Sequence, residues 1–314
     1  MIFNIIKGFI LVFGVLTGSA YMVWLERRVS AWIQDRIGPN RVGPFGLLQP
    51  LVDVVKLLFK EEIVPITAEK FIHFLAPGII IVSVITASVL IPVDPNFIIT
   101  NPGIGILLIM GLSSLSAYSV VLSGFASLTK YPVLGSLRAS AQVVSYEIPI
   151  ALSVLSVVVL SNSLSLVDIV NAQKETWFIL INPIGFIVFL IASFAETNRA
   201  PFDLPEAESE LTGGYHTEFS SMRFAWFFAG EYGHIIISSA VITTLFLGGY
   251  HGPIASGLWW FLIKVFILCY IFVWVRWTFP RLRYDQLMKF SWKLLIPVSL
   301  INLLIIALVK ILQL

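Results

Sequence analysis

Apolar residues run in stretches of about 20, broken by shorter polar segments. Eight such windows fall near residues 2–25, 71–91, 103–126, 139–161, 177–197, 222–247, 257–276 and 292–313. A helix rising 1.5 Å per residue needs about that length to cross roughly 30 Å of hydrocarbon. The pattern predicts an all-α integral membrane protein with eight transmembrane helices, forming a single membrane domain over residues 1–314. The first window has Lys7 ahead of an apolar run, as a secretory leader would. It lacks a small-residue cleavage site and is long enough to span, so it reads as a retained helix. A shorter segment near 50–61 carries Asp53, Lys56 and Lys60 on one face and Val54, Val55, Leu58 and Phe59 on others. About a dozen residues cannot span, so this segment is expected to lie in the headgroup layer as an interfacial amphipathic helix. A sharper expectation is that it roofs an opening for something lipid-soluble.

The basic residues are unevenly placed between the two sides. Sixteen of the 20 Lys and Arg lie in or beside the connections after windows one, three, five and seven. By the positive-inside rule those connections face the cytoplasm or mitochondrial matrix, and both termini face outward. The expected location is a bacterial inner membrane or a mitochondrial inner membrane. Outer connections such as 92–102 and 248–256 are short. The inner ones are long and rich in Gly and Pro, residues that fix turn geometry at a defined surface, so the functional face is the inner one. No internal repeat is visible, which speaks against the inverted repeats of many transporters.

Composition narrows the class further. Hydrophobic residues make up 58% of the 314 and charged residues 12%, with a net charge of +2. An ordinary soluble domain carries about twice that charge, and the weak net charge argues against a nucleic-acid partner. Cys269 is the single cysteine, so a disulfide framework, a zinc ribbon or an iron–sulfur cluster held by this chain alone lacks ligands. There is no Gly-x-Ser-x-Gly elbow, the four His at 73, 216, 234 and 251 have no zincin spacing, and Gly103-Ile-Gly105 precedes a membrane helix. No catalytic centre and no cofactor bound by the chain itself are expected.

Two carboxylates interrupt apolar windows. Glu147 and Glu231 each follow the expected inner end of their helix by eight or nine residues, which places both about 12–14 Å deep. A charge there costs at least about 2.5–3.5 kcal/mol, so each is either a neutral structural acid or a proton carrier facing the bundle interior. Pro149 removes the amide that would bond the Ser145 carbonyl, leaving an acceptor that a water could use. Gly230 and Gly233 flank Glu231 and permit close helix approach. His234, three residues after Glu231, either extends a relay or bonds the carboxyl. Lys264 either pairs with a buried acid or lies too far round the bundle. Residues 196–218 hold Glu196, Asp203, Glu206, Glu208, Glu210 and Glu218 against Arg199 alone. Such a run is commonly a solvated loop. A calcium site is another candidate, though the spacing does not fit an EF-hand, and the Gly-Gly pair, two prolines and interleaved aromatics suggest a fixed loop.

These stretches also carry a resemblance. Glu26-Arg-Arg, Asp35-Arg-Ile-Gly-Pro-Asn-Arg-Val-Gly-Pro, Leu48-Gln-Pro-Leu-Val-Asp-Val-Val-Lys-Leu, Ser145-Tyr-Glu-Ile-Pro and Glu196-Thr-Asn-Arg-Ala-Pro-Phe-Asp-Leu-Pro-Glu-Ala-Glu-Ser-Glu-Leu closely resemble a membrane-subunit family of respiratory complex I found in bacteria and, as subunit 1, in mitochondria. The resemblance implies a non-redox-centre subunit of a proton-pumping NADH:quinone oxidoreductase, at the junction of membrane and peripheral arms. Quinone would enter from lipid near helix one, the interfacial helix and helix six, with Glu26, Arg27, Arg36, Asp53 and Phe59 in the chamber wall or mouth. The loop acids Glu196, Asp203, Glu206, Glu208 and Glu210, with Arg199, would link the chamber to a proton relay of Glu147, Glu218, Glu231 and His234. Implied partners are the iron–sulfur and quinone-site subunits of the peripheral arm, and antiporter-like and small membrane-arm subunits. FMN and iron–sulfur clusters would sit in partners. The competing expectations are an ion-translocating subunit of a related hydrogenase or antiporter-like assembly, and a structural anchor, which leaves Glu147 and Glu231 unexplained.

Overall fold

The computed structural model describes residues 2–205, 213–253 and 256–313. Twelve α-helices follow in order among them: α1 (Ile2–Ile33), α2 (Gln49–Phe59), α3 (Lys70–Leu90), α4 (Gly105–Ser127), α5 (Lys130–Ser161), α6 (Leu166–Ala172), α7 (Phe178–Ile181), α8 (Pro183–Glu196), α9 (Ser221–Phe246), α10 (Leu258–Thr278), α11 (Tyr284–Phe290) and α12 (Ile296–Gln313). A π turn, Ser291–Leu295, joins the last two. No strand forms among the described residues, where a single isolated bridge pairs His251 with Ser256. The chain is a multi-pass membrane protein, with seven helices among the described residues long and apolar enough to cross a bilayer.

Helix α9 occupies the centre. Every residue from Gly230 to Phe246 is buried except Ile236, so this helix has no polar face to give to water. Helices α1, α3 and α10 pack on it, α4 bridges α3 and α5, and α5 carries α8 and α12. Two glycines set the α3–α9 spacing. A Cβ on Gly230 would lie 2.7 Å from Ile80, and one on Gly233 2.7 Å from Val84. The outer faces of α1, α10 and α12 expose Phe9, Phe13, Trp259, Ile305 and Leu308, the composition expected of surfaces that meet lipid or other apolar helices.

Helix bounds differ from the expected windows where local chemistry intervenes. Helix α1 continues eight residues past 25, so Glu26, Arg27 and Arg28 sit on a helix rather than in a connection. The fifth window is broken at Asn182, whose backbone leaves the helical region (φ −129°, ψ 61°) because Pro183 follows it. Its side chain then caps the continuation, accepting from Gly185 N and donating to Ser156 Oγ at 2.6 Å. That leaves 14 residues in α8, too few for a span by themselves. Helix α5 starts at Lys130, nine residues before the expected 139. Glu147 is therefore 17 residues into its helix and Glu231 ten into its own, and counting from helix ends no longer gives them one depth.

The connections separate into two groups by what ties them together. At one end Glu69 N bonds Ala126 O, Ser221 Oγ bonds Leu57 O and Lys60 O, Thr129 Oγ1 bonds Glu218, and Leu282 N bonds Pro201 O. At the other, Lys7 Nζ bonds Asn96 O, Ser165 Oγ bonds Asn101, and Gly248 N bonds Gln173. The first is the charged end and the second the far end.

Candidate functional site: an apolar cavity beside a buried charge cluster

At the charged end a cavity of about 760 Å³ is walled by α1, α2, α3 and α9. Leu16, Ala20, Val23, Val54, Leu57, Ile81, Val82, Trp226 and Phe228 give it an apolar lining. Leu16, Val54 and Val82 are themselves exposed, so it opens on the bundle surface. Its charged groups gather at one place, where Arg27 donates to Asp53 at 2.8 Å and Lys56 lies alongside, with Ser19 also in the lining. Gln49 donates to the other Asp53 oxygen at 3.0 Å, which fixes the carboxylate from within α2. The volume falls within the range of about 300–1,000 Å³ common for small-molecule sites.

The expected chamber residues divide here. Arg27 and Asp53 meet and line the cavity. Glu26, one residue away on α1, turns about 100° round the helix to α9 and α10, where it accepts from Tyr232 Oη at 2.8 Å and pairs with Arg276 at 2.7 Å. Arg36 bonds Gln34 at 2.7 Å and Ser30 at 3.3 Å and does not line the cavity. Phe59 is 88% exposed and is not among the lining residues.

Behind that wall lies a buried ionic cluster. Arg199 pairs with Glu231 at 3.1 Å, with side chains only 3% and 6% exposed. Tyr215 Oη, from the 3₁₀ turn Gly214–His216, donates to the other Glu231 oxygen. Arg199 also lies over the Tyr232 ring, 4.4 Å from its centroid. Desolvating two charges costs several kcal/mol each and is recovered only when remaining lone pairs and N–H groups find partners. Glu231 meets that condition with a cation on one oxygen and a hydroxyl on the other.

The loop that carries Arg199 is held from α5. Gln142 Nε2 donates to Ala195 O and Phe202 O, both at 2.7 Å, and approaches Asn198 Oδ1 at 3.3 Å. Asp203 pairs with Arg281 at 2.8 Å, and Phe202 packs on Tyr146 at 5.4 Å and Phe290 at 6.4 Å. The loop is fixed up to Pro205; Glu206, Glu208 and Glu210 lie outside the described residues.

The remaining acids are dispersed. Glu218 accepts from Thr129 at 3.2 Å at the charged end. Glu196 lies 3.8 Å from His234 Nε2. Of the two readings of His234, the bond to Glu231 is not made, because Arg199 and Tyr215 occupy that carboxyl. Glu147 is half-buried on α5, bordered by buried Val143 and Ile150 as well as exposed Val144 and Ile148, with no hydrogen-bond or ion-pair partner among the described residues. The Ser145 carbonyl freed by Pro149 is taken by Ser291 Oγ at 2.6 Å rather than left for water, and Ser291 opens the π turn. Lys264 pairs with no buried acid among the described residues and instead donates to backbone carbonyls.

A family model described as NADH dehydrogenase matches residues 6–307. The chain belongs to that family. It is 52% identical to an NADH-quinone oxidoreductase subunit of Protochlamydia amoebophila over 300 residues, 93% of this chain and 92% of the relative. It is 46% identical to NADH-quinone oxidoreductase subunit 8 of Rhodothermus marinus over 324 residues, 96% and 95% of the two chains. It is 47% identical to an NADH-quinone oxidoreductase subunit of Geobacter metallireducens over 311 residues, 96% and 94%. For this member of the family, four residues that motif reading passed over turn out to organise the cluster: Gln142, Tyr215, Tyr232 and Arg276. Gln142 carried a usable signal, since an amide inside an apolar window must be satisfied by a neighbouring segment. Tyr215, Tyr232 and Arg276 carried none, because their partners lie 16 to 250 residues away.

Proposed function

We propose that the chain is the membrane subunit of an NADH-quinone oxidoreductase that admits the quinone and passes the consequence of its reduction to buried acids. The observation that carries this reading is the 760 Å³ cavity between α1, α2, α3 and α9, mostly apolar with its charges gathered where Arg27, Asp53 and Lys56 stand. An isoprenoid tail fits apolar walls open at the bundle surface, and a polar pair at one side suits a headgroup passing inward. Helix α2 would lie in the headgroup layer and roof that opening. The full-length relatives bear NADH-quinone oxidoreductase names, which favours this reading over the hydrogenase-type alternative. Electron carriers, FMN and iron–sulfur clusters, belong in partner subunits of the peripheral arm, and the antiporter-like subunits would receive the output.

Helices α7 and α8 together span 19 residues, or about 28 Å, and would complete an eighth crossing with its break satisfied by Ser156 and Gly185. An even number puts both termini on the outer side and the charged end towards the cytoplasm or matrix. The whole chain then acts as one membrane domain of an inner membrane.

The coupling step follows from electrostatics. A change of charge or hydration in the chamber acts on the Glu26–Arg276 pair through α1, and Tyr232 joins Glu26 to the Arg199–Glu231 pair. Moving Arg199 would leave Glu231 uncompensated, and such a carboxylate takes up a proton. Glu196, His234, Glu218 and Glu147 are the further stations. The chain transfers protons, not electrons. Photoaffinity labelling of the assembled complex with a tailed quinone analogue tests the chamber: label is expected within residues 50–57 and 222–229, and label confined to other subunits would sink it. Glu231→Gln and Glu147→Gln test the relay through proton pumping at measured NADH:quinone turnover. Unchanged coupling in both variants would remove them from it.

A further inference from the structure

Lys264 is the one lysine buried among the described residues, 7% exposed, and neither the chamber nor the relay uses it. Its Nζ donates to the carbonyls of Leu247, Gly249 and His251 at 2.5, 3.0 and 2.6 Å. An ammonium has three N–H groups and a neutral amine two, so three acceptors fix the charged form. Leu247 is the C-cap of α9, where free carbonyls and the negative end of the helix dipole favour a cation. The Trp177 ring covers it at 4.5 Å. Among the described residues no carboxylate comes within ion-pair distance, so dipoles hold the charge without cancelling it.

Between this cation and Glu231 lies a cavity of about 40 Å³, apolar along Val84, Ile106, Ile150 and Phe189 and polar where Ser113, Glu196 and His234 meet it. A water needs about 10–15 Å³ on this measure and two to four polar partners, so there is room for two or three. His234 Nε2 is buried there without a hydrogen-bond partner. Farther along α9, Leu245 and Phe246 are fully buried among Thr243, Thr244 and Gln173, whose side chains are tied to the backbone, and the Lys264 cap closes the end. A proton reaching His234 thus meets polar groups already bonded, backed by a fixed positive charge.

We propose that Lys264 is a proton-excluding charge that seals the far end of this bundle, so that protons entering from the charged end leave through neighbouring subunits and not through this one. A fixed cation or the positive end of a dipole excludes protons from water-conducting pores by the same physics. The inference rests on the relay reading, but its test needs no turnover.

The assembled complex is reconstituted into liposomes without NADH, and the decay of an imposed pH gradient is followed. Lys264→Gln keeps two donors for the carbonyls and loses the charge. His251→Glu, at a half-exposed neighbouring position, leaves Lys264 in place and adds a counter-charge. Both are expected to speed the decay by about tenfold, the effect of one charge at about 10 Å and an effective dielectric near 20. Lys264→Arg is expected to stay tight. NADH:quinone turnover in detergent, which needs no sealed membrane, reports assembly of each variant. Gradient decay at the parental rate in His251→Glu overturns the proposal, whether or not Lys264→Gln assembles. A leak in Lys264→Met with a tight Lys264→Gln also overturns it, assigning Lys264 to loop packing. Loss of pumping in Glu231→Gln with unchanged leak leaves the seal standing, so the two readings fail separately.

Discussion

Glu231 and Glu147 look like twins in the sequence, each a lone carboxylate in an apolar helix, yet the structure gives them opposite surroundings. Glu231 sits on the central helix and draws partners from two other segments, Arg199 after α8 and Tyr215 in the 3₁₀ turn. Glu147 is half-buried on α5 with no hydrogen-bond or ion-pair partner among the described residues. The first acid has its charge balanced inside the chain. For the second, a charge held in hydrocarbon would cost at least about 2.5–3.5 kcal/mol, so a compensating group from a neighbouring subunit is expected.

The comparison is most sharply broken by removing the cation. Arg199→Met is expected to destabilise the subunit by about 3–5 kcal/mol, because it strands a buried carboxylate. The readout is the amount of assembled complex and its thermal inactivation midpoint. The double variant Arg199→Met with Glu231→Gln is expected to recover much of the loss, and failure to recover would mean that Arg199 acts through something other than Glu231. Next in size, Gly230→Val forces a side chain against Ile80, where even a Cβ would sit at 2.7 Å. The expected cost is about 1–3 kcal/mol, read from the same midpoint.

Tyr215→Phe strips one hydrogen bond from a Glu231 oxygen that stays buried, a loss of about 1–3 kcal/mol. Glu147→Gln, by contrast, is expected to change stability by no more than about 0.5 kcal/mol, since no hydrogen bond or ion pair among the described residues is lost. A large destabilisation there would show that α5 is held by a partner through that carboxylate. The smallest effect concerns the far end. Burial, with Lys174 and Lys264 nearby, lowers the His251 pKa below its ordinary 6.5. The unfolded chain then binds the extra proton first, so the contribution of His251 to stability is full above about 6.5 and declines as pH falls below it. The acid-side drop in inactivation midpoint is expected to be shallower in His251→Gln.

Much of this architecture is legible in apolar run length alone. Seven windows became helices long enough to span, because a segment without water partners must satisfy its amides internally whatever its neighbours do. The fifth did not, since Asn182-Pro183 carries a local break that overrides the hydropathy of the run. The site was legible only as an inventory. Arg199, Glu231, Glu26 and Asp53 are visible as charges in unusual places, but a charge count cannot say that Arg199 answers Glu231 while Arg276 answers Glu26.

Gly230 and Pro149 show how far local chemistry reaches. Each announces a close approach or a freed acceptor without naming what comes near, and Ile80 and Ser291 supply the answers from other helices. The sequence by itself determined the solvent, the helices and which end carries charge, because transfer energies and backbone satisfaction act within a segment. Only the tertiary structure decided which acid is paired, which is left without a partner among the described residues and which carbonyls hold Lys264. Side-chain direction round a helix and the choice of neighbours depend on how α3, α5 and α10 pack on α9 or on one another, and that is a property of the assembled bundle.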